Sequence, residues 1–362
     1  MVAAPEIPAV LRVMVVDDSS VVRGFLTRFL EEDPAIRVII AAPDGRQALK
    51  EMMLTPPDVA ILDIDMPVMD GLTALPLMLE RQPGLPVIIA STRTRENAAL
   101  ALTCLRMGAA EVMAKPTAQE MAAQDIALPG EGFRAALLAK VKSLGNIGAA
   151  TAHLDQAIDE KTASAPAYTG RVEAVAICSS TGGPQALLTL FAGLSGPLPV
   201  PVFITQHMPA TFTTVLAENI AAVSGLACHE AVEGEGVRSG RIYIAPGDYH
   251  LLVRVVAGSK TITLGRQPPE NFCRPAADTM LRSLAAAYGP RVLTLVLTGM
   301  GADGLAGCRA LHALGAPVVA QDKQSSIVWG MPGAVAGAGL CTDVLPLAEM
   351  PALLRRYTGG AP

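Results

Sequence analysis

Short apolar runs alternate with helical segments along almost the whole chain, and this alternation constrains the fold more than any other feature. The first five runs are residues 11–16, 38–41, 59–62, 87–90 and 111–114. Strand–helix units joined by short connections are typical of a doubly wound parallel α/β sheet. The alternation resumes at residue 171, with a β-rich insertion at residues 241–264 that we expect to form hairpin-like strands.

A change of composition separates the two stretches. Residues 145–170 are rich in Ala, Gly, Ser and Thr and lack an apolar period, which is typical of a linker, although residues 154–161 also fit a short helix. We therefore predict one α/β domain over residues 1–144, this linker, a second α/β domain over residues 171–357, and a tail at residues 358–362.

Composition narrows the class of protein. The net charge of −5 disfavours nucleic-acid binding, and no apolar run approaches the about 20 residues of a membrane-inserted helix. The six cysteines are scattered, which indicates buried free thiols and neither a zinc site nor a disulfide framework. With no pattern of a signal peptide at the N-terminus, we expect a cytoplasmic protein.

Carboxylates follow two strands of the first domain. Asp17 and Asp18 close the first strand, and Asp63 closes the third. At one edge of a parallel sheet these groups would repel one another unless a hard cation such as Mg²⁺ neutralised them. Ser91 and Lys115 end the fourth and fifth strands, so a hydroxyl and an ammonium group complete a site of phosphoryl size.

These strand ends resemble the receiver domain of bacterial response regulators. The resemblance covers roughly residues 11–144 and rests on Val-Val-Asp17-Asp18-Ser19, Leu-Asp63-Ile-Asp65-Met-Pro-Val-Met-Asp-Gly71, Ser91 and Lys115-Pro116. It implies a flavodoxin-like fold in which Asp63 accepts a phosphoryl group from a histidine kinase. One departure is Val112, which stands where receivers usually carry an aromatic switch residue.

The same resemblance implies a role for each residue of this site. The side chains of Asp18 and Asp63 and the backbone carbonyl of Asp65 would hold Mg²⁺, with Asp17 in the acidic pocket. Ser91 and Lys115 would contact the phosphoryl group.

Three strand-like runs of the second domain end beside a reactive side chain, namely Ser180, His207 or Asp303. Ligands of open α/β sheets bind at the carboxyl ends of strands, so we expect the three to meet. A hydroxyl, a base and a carboxylate are the groups that nucleophilic acyl transfer needs, whatever their order in the chain. Spacing alone leaves Ser179, Ser180 and Thr181 open as the nucleophile.

The glycines after these hydroxyls and the position of one cysteine add two expectations. Gly182 and Gly183 allow backbone N–H groups to approach a developing oxyanion at a helix N-terminus. Cys178 is a better intrinsic nucleophile than a hydroxyl, but it lies further back in the strand, where burial is expected.

At these residues the chain resembles the chemotaxis-type protein-glutamate methylesterases over roughly residues 171–357. The matching blocks are Ser179-Ser180-Thr181-Gly-Gly-Pro-Gln-Ala-Leu, Gln206-His207-Met-Pro, Ile242-Tyr-Ile-Ala-Pro-Gly247 with His250, Arg274-Pro275, Leu297-Thr-Gly-Met-Gly-Ala-Asp303-Gly, Ala320-Gln-Asp322 and Trp329-Gly-Met-Pro332. The resemblance implies a Rossmann-like α/β esterase with Ser180 as nucleophile, His207 as base and Asp303 as the carboxylate that orients the base.

Two departures and one further histidine accompany this resemblance. The family typically has Gly-Ala where this chain has Cys178-Ser179, and often Ser where it has Ala276. His250 follows the Ala-Pro-Gly turn and is a candidate to line the site, whereas we interpret the remaining histidines as surface or structural.

Together these patterns predict a phosphorylation-activated serine hydrolase in chemotaxis-type two-component signalling. By the resemblance, it demethylates glutamate methyl esters on the cytoplasmic domain of chemoreceptors and also deamidates specific glutamines. It uses Mg²⁺ for receiver phosphorylation and no cofactor for the esterase. The alternatives are a protein that is mainly a glutamine deamidase and a non-catalytic phosphorelay module.

Overall fold

The computed structural model describes residues 10–92, 94–115, 133–145, 168, 170–194, 196 and 198–359. The chain divides into two compact units, residues 1–150 and 151–362. The alternative helix at residues 154–161, Pro116 and the end of the tail lie outside the described residues, as does nearly all of the predicted linker.

The first unit is a five-stranded parallel sheet in the order β2-β1-β3-β4-β5. Its strands are β1 (Leu11–Val16), β2 (Ile36–Ala42), β3 (Val59–Asp63), β4 (Val87–Ser91) and β5 (Glu111–Ala114). This order is the flavodoxin-like one, as expected. Every residue of β3, β4 and β5 is buried, because helices cover both faces of such a sheet.

Polar side chains cap the N-termini of the first four of the five described helices in this unit. The five helices are α1 (Ser20–Glu31), α2 (Gly45–Met52), α3 (Gly71–Arg81), α4 (Arg95–Arg106) and α5 (Phe133–Gly145). Asp44 and Asp70 each accept a hydrogen bond from a first-turn N–H group of α2 and α3. At Gly71 a Cβ atom would lie 2.2 Å from the carbonyl oxygen of Asp63, so only glycine lets α3 start this close to β3.

The second unit is built on a seven-stranded sheet in the order β14-β13-β12-β6-β7-β9-β8, and all its pairings are parallel. These strands are β6 (Ala174–Ser179), β7 (Val202–Gln206), β8 (Ala227–Glu230), β9 (Arg241–Ile244), β12 (Val292–Val296), β13 (Val318–Gln321) and β14 (Asp343–Leu345). Strand β6 is central, and the chain order reverses beside it, as in Rossmann-like sheets.

Helices connect most of these strands, but the connection from β8 to β9 is a loop. A short antiparallel hairpin of β10 (His250–Val256) and β11 (Ser259–Gly265) follows β9. The helices are α6 (Gly183–Ala192), α7 (Phe212–Ser224), α8 (Ala277–Tyr288), α9 (Leu305–Ala313), α10 (Met331–Gly337) and α11 (Met350–Thr358). None of the helices in the described ranges combines the length and apolar character needed to traverse a bilayer.

The β-rich insertion differs in part from its prediction. The hairpin is real, but it comprises only β10 and β11, whereas β9 joins the main sheet beside β7 and β8. The reason is burial, because Tyr243 of β9 is fully buried and its ring stacks on Phe203 at a centroid distance of 5.5 Å. A two-residue period does not say which sheet a strand will join.

Candidate functional site

Sheet order brings the predicted hydrolase residues to one edge. Ser180 directly follows β6 and His207 directly follows β7, while Asp303 lies in the loop between β12 and α9. Since β6 lies between β12 and β7, the three residues occupy neighbouring strand ends at the place where the chain order reverses. This is where open α/β sheets bind their ligands.

His207 and Asp303 form the best-defined contact of this edge. The Nε2 atom of His207 lies 2.8 Å from Oδ2 of Asp303, whose side chain is 3% exposed. With Asp303 accepting a hydrogen bond from the Nε2–H group, the Nδ1 atom is left as the basic nitrogen. The carboxylate thereby sets both the tautomer and the orientation of the imidazole ring.

Asp303 is held by further donors at the start of α8. Its oxygens accept hydrogen bonds from the N–H groups of Ala277 at 2.6 Å and Asp278 at 3.1 Å, and from the Asn271 side-chain amide at 2.9 Å. Burial raises the pKa of Asp303, but the hydrogen bond and charge of His207 and these N–H donors outweigh burial and lower the pKa. The carboxylate therefore stays charged although it is buried.

The pKa of His207 is shifted in the opposite direction. Burial lowers it, but the neighbouring Cys273 sulfur and the hydrogen bond to Asp303 raise the pKa of His207 well above its usual value. Removing either neighbour should therefore favour the neutral imidazole.

Ser180 sits in a tight strand–turn–helix. Its N–H group donates to the carbonyl of Thr298 at 3.1 Å, and a Cβ atom on Gly299 would lie 2.8 Å from the Cβ atom of Ser180. Gly182 has a φ of 76°, in the left-handed region that favours glycine, and α6 begins immediately after it. Among the described residues, the Ser180 hydroxyl makes no hydrogen bond to His207.

The expectation for the two glycines is met only in part. The N–H group of Gly183 donates to the carbonyl of Ser180 at 2.8 Å and is therefore already engaged. Within the described ranges, the N–H groups of Thr181 and Gly182 have no protein acceptor. These two amides are therefore the donors left for an oxyanion at the start of α6.

The hydroxyl of Ser179 is turned away from the base. It donates to the side-chain oxygen of Gln206 at 2.6 Å, and the Gln206 amide nitrogen donates to the carbonyl of Ser180 at 2.9 Å. The additional hydroxyl introduced by Cys178-Ser179 therefore supports the turn. The sequence pattern did not indicate this role of Gln206, although Gln206 directly precedes His207 in the chain.

The structure also decides the expectations for Cys178 and His250. Cys178 is fully buried, as expected, and burial raises its pKa well above the usual thiol value. His250 is also fully buried, and its Nδ1 atom accepts a hydrogen bond from the N–H group of Ala276 at 3.2 Å. The expectation that His250 lines the site is therefore wrong, because its ring anchors the start of α8.

Two more residues of this edge were not singled out by the sequence. Asn271 binds Asp303, and the Sγ atom of Cys273 lies 3.5 Å from Nδ1 of His207. Cys273 and Cys228 are only partly buried, which departs from the expectation of buried thiols. No sequence pattern indicated these contacts, because Asp303, the partner of Asn271, and His207, the partner of Cys273, are both distant in the chain.

The first unit gathers its predicted residues around Lys115. Its Nζ atom lies 2.9 Å from Oδ2 of Asp17 and 2.7 Å from Oδ2 of Asp63. Burial and the charge of Asp17 raise the pKa of Asp63 to about 6, even though Lys115 acts to lower it. Asp17 and Asp63 are buried and Asp18 is exposed, so the site opens to solvent on the side of Asp18.

The donors of this site suit a hard cation. Carboxylate oxygens of Asp17, Asp18 and Asp63 all lie within 4.8 Å of one another, which fits Mg²⁺ coordination through few carboxylates and several waters. The side chain of Asp65 accepts a hydrogen bond from Asn97 at 2.7 Å. The predicted metal contact of the Asp65 carbonyl stays a prediction.

The hydroxyl of Ser91 points away from Asp63 in this structure. It donates to the carbonyls of Asn97 at 3.1 Å and Thr92 at 3.3 Å. Its predicted contact with a phosphoryl group would require the hydroxyl to turn. Val112 is 4% exposed in β5, so a small aliphatic side chain is buried at the position usual for an aromatic residue.

Both units have matches among known proteins. Residues 175–354 match the family described as CheB methylesterase, and residues 13–127 match the response regulator receiver domain. The catalytic domain of Thermotoga maritima CheB methylesterase superposes with a TM-score of 0.50 and 37% identity, covering 52% of this chain and 99% of that structure.

Curated relatives match over nearly their full length. The protein-glutamate methylesterase/protein-glutamine glutaminase 1 of Paramagnetospirillum magneticum is 48% identical, with 94% of each chain covered. A relative of the same description from Caulobacter vibrioides is 46% identical over 94% of this chain and 96% of its own. The chain belongs to the family of protein-glutamate methylesterases/protein-glutamine glutaminases with an N-terminal response-regulator receiver domain.

Proposed function

We propose that this chain is a phosphorylation-activated serine hydrolase that demethylates glutamate methyl esters on chemoreceptors during sensory adaptation. The observation that carries this proposal is the 2.8 Å contact of His207 with Asp303 at the strand end beside Ser180. A hydroxyl, an imidazole and a buried carboxylate on adjacent strand ends are the groups of a serine acyl-transfer site.

In the proposed reaction, Nδ1 of His207 takes the proton of the Ser180 hydroxyl as its oxygen attacks the ester carbonyl. Asp303 stays ionised and stabilises the imidazolium through Nε2. The N–H groups of Thr181 and Gly182, with the N-terminus of α6, stabilise the oxyanion. His207 then protonates the leaving methoxide, and water hydrolyses the acyl-enzyme by the same steps.

The proposed control site is the cluster around Asp63. A carboxylate oxygen of Asp63 accepts a phosphoryl group from a histidine kinase, while Lys115 neutralises part of its charge. Asp18, Asp63 and the carbonyl of Asp65 would hold Mg²⁺, which supplies charge neutralisation on the phosphoryl oxygens. Asp17 completes the acidic pocket, and Ser91 turns to contact the phosphoryl group.

The proposal for the whole protein includes a cytoplasmic location, with chemoreceptor cytoplasmic domains as the substrate and a histidine kinase as the phosphodonor. Neither nucleic acid nor membrane insertion belongs to it, and the esterase step uses no cofactor. The names of the relatives also support deamidation of specific receptor glutamines by the same residues, because an amide passes through the same acyl-enzyme and releases ammonia instead of methanol.

The decisive experiment measures methanol and ammonia released from methylated and amidated receptor fragments by the full chain. Acetyl phosphate with Mg²⁺ should raise the rate, and EDTA should abolish that stimulation but leave the basal rate. Ser180→Ala should release neither product, whereas the matched Ser179→Ala variant should keep most activity. If Ser179→Ala is inactive and Ser180→Ala is active, the nucleophile is assigned to the wrong hydroxyl. Ammonia without methanol would make the protein mainly a deamidase.

A further inference from the structure

The basic nitrogen of His207 faces a sulfur atom. Among the described residues, Sγ of Cys273 is the one side-chain atom within hydrogen-bonding distance of Nδ1, at 3.5 Å. The opposite ring nitrogen is bound to Asp303 at 2.8 Å. Atoms of Cys273, His207 and Asp303 all lie within 4.8 Å of one another. A thiol, an imidazole and a carboxylate are therefore arranged as a second nucleophile–base–carboxylate set.

A short turn holds the thiol in this place. The backbones of Glu270 and Cys273 exchange two hydrogen bonds, at 3.1 and 2.9 Å. Between them, Asn271 and Phe272 have φ angles of 53° and 62°, in the left-handed region that side chains rarely adopt. The Asn271 side chain also binds Asp303 at 2.9 Å. This one turn thus carries Cys273, which contacts the imidazole, and Asn271, which binds the carboxylate partner of the imidazole.

We propose that Cys273 is a nucleophilic thiol, activated by His207, and that alkylation of its sulfur by soft electrophiles switches off the esterase. In the reaction with an alkyl halide, a carbon–sulfur bond forms and the carbon–halogen bond breaks. The halide ion leaves, and the thiol proton passes to Nδ1 of His207 and then to solvent. The new substituent on sulfur then occupies the space beside the nitrogen that must take the proton of Ser180.

The other cysteines supply the contrast. Cys104, Cys178, Cys308 and Cys341 are buried, and burial raises the pKa of each thiol. Cys228 is partly buried like Cys273, but burial raises its pKa to about 12 and it has no imidazole partner among the described residues. Cys228 is therefore the matched internal control for access without activation.

The test treats the unmodified full chain with iodoacetamide and follows each cysteine by peptide mass spectrometry. We expect Cys273 to be modified at least about tenfold faster than Cys228, because a thiol is activated by a neighbouring imidazole. In His207→Asn, modification of Cys273 should slow by about tenfold or more while Cys228 is unchanged. If iodoacetamide modifies Cys273 and Cys228 at equal rates in the chain without substitutions, the proposed activation of Cys273 is wrong. This comparison needs no variant. An unchanged rate at Cys273 in a folded His207→Asn variant would overturn the activation as well.

The second part of the test concerns inhibition. Loss of methanol release should follow modification of Cys273. The Cys273→Ser variant should release methanol at the same rate before and after iodoacetamide treatment. Full esterase activity with Cys273 fully modified would overturn the blocking role. The inference shares His207 and Asp303 with the proposed function, but the rate of thiol modification is measured without substrate. Fluorophosphonate labelling of Ser180 separately reports failure of the proposed hydrolase.

Discussion

Two sheet edges of this molecule collect carboxylates, and the neighbours of each carboxylate give it a different chemistry. Asp63 is buried beside a second carboxylate, and its pKa is raised to about 6 despite the contact with Lys115. Asp303 is equally buried, but N–H donors and His207 surround it, and its pKa is lowered. Burial costs the charged form at both sites, so the direction of each shift depends on what the oxygens accept.

This difference suits the two roles that we propose for Asp63 and Asp303. A carboxylate whose ionised form is poorly compensated gains from a cation or a new covalent partner, as a phosphoryl acceptor should. A carboxylate saturated with donors has little to gain from either, and it serves as a fixed charge that orients a base. A carboxylate at the end of a parallel strand can therefore have a charge that a cation or a covalent partner reversibly neutralises, or a charge that stays fixed.

The largest expected effect comes from removing the permanent charge. Asp303→Asn should lower kcat by up to about 10⁴-fold, because an amide neither stabilises the imidazolium nor selects its tautomer. Asp322→Asn, at the end of the neighbouring strand β13, is the matched control and should change kcat by less than about tenfold. Steady-state methanol release measures both, with circular dichroism to verify folding. A loss below about tenfold in Asp303→Asn would remove this carboxylate from the catalytic set.

The next effect is on the pH profile. His207 must be neutral to accept a proton, and its raised pKa predicts that kcat/KM rises with pH through a value above the usual histidine pKa of about 6.5. Cys273→Ala removes the neighbouring sulfur that raises the pKa of His207 and should move this acid limb to lower pH by about one unit. Cys228→Ala is the control and should leave it in place. An unmoved limb in Cys273→Ala would show that Cys273 does not raise the pKa of the base.

A smaller effect concerns stability of the first unit. The pKa of Asp63 is about 6 in the fold, against about 3.9 in the unfolded chain, so its ionisation destabilises the fold as pH rises between these values. Asp63→Asn should therefore raise the free energy of unfolding by about 1–2 kcal/mol above pH 7 without divalent cations. The gain should shrink as pH falls through about 6 and vanish below about 4.

Thermal unfolding of the full chain at several pH values measures this gain. Mg²⁺ should reduce this gain in the free energy of unfolding, because the cation stabilises the unsubstituted carboxylate cluster. Glu80→Gln, which removes an exposed carboxylate from α3, is the control and should show no such pH dependence. A destabilised Asp63→Asn variant at pH 7 would mean that the ion pair with Lys115 outweighs burial.

The smallest effect separates support from chemistry at the nucleophile. Ser179→Ala should cost about 1 kcal/mol of stability, because the buried side-chain oxygen of Gln206 loses a donor at 2.6 Å. The rate of methanol release should fall by less than about tenfold, since the hydroxyl faces away from His207. Denaturant unfolding and steady-state rates together measure the two quantities. A loss as large as that of Asp303→Asn would give Ser179 a part in the reaction.

Much of the architecture was predictable from local pattern. Apolar runs with β-branched residues and capped helices specified five strand–helix units in the first domain, with bounds that differ from the observed ones by up to a few residues. The pairing of strand β9 in the second unit was not predictable in this way, because alternation indicates a strand but not its partner. Only the burial of Tyr243 against Phe203 assigns β9 to the main sheet.

The residues themselves determined which reactive groups lie at strand ends, because parallel strands in such sheets share one functional edge. The sequence predicted in this way that five reactive residues lie at strand ends, namely Ser180, His207, Asp303, Asp63 and Lys115. What surrounds them was decided by tertiary structure alone. The contacts of Asn271 with Asp303 and of Cys273 with His207 join residues 32 and 66 positions apart, and no periodicity in the chain encodes them. Since pKa shifts arise from such neighbours and from burial, the chemistry of each carboxylate emerged only when the chain had folded.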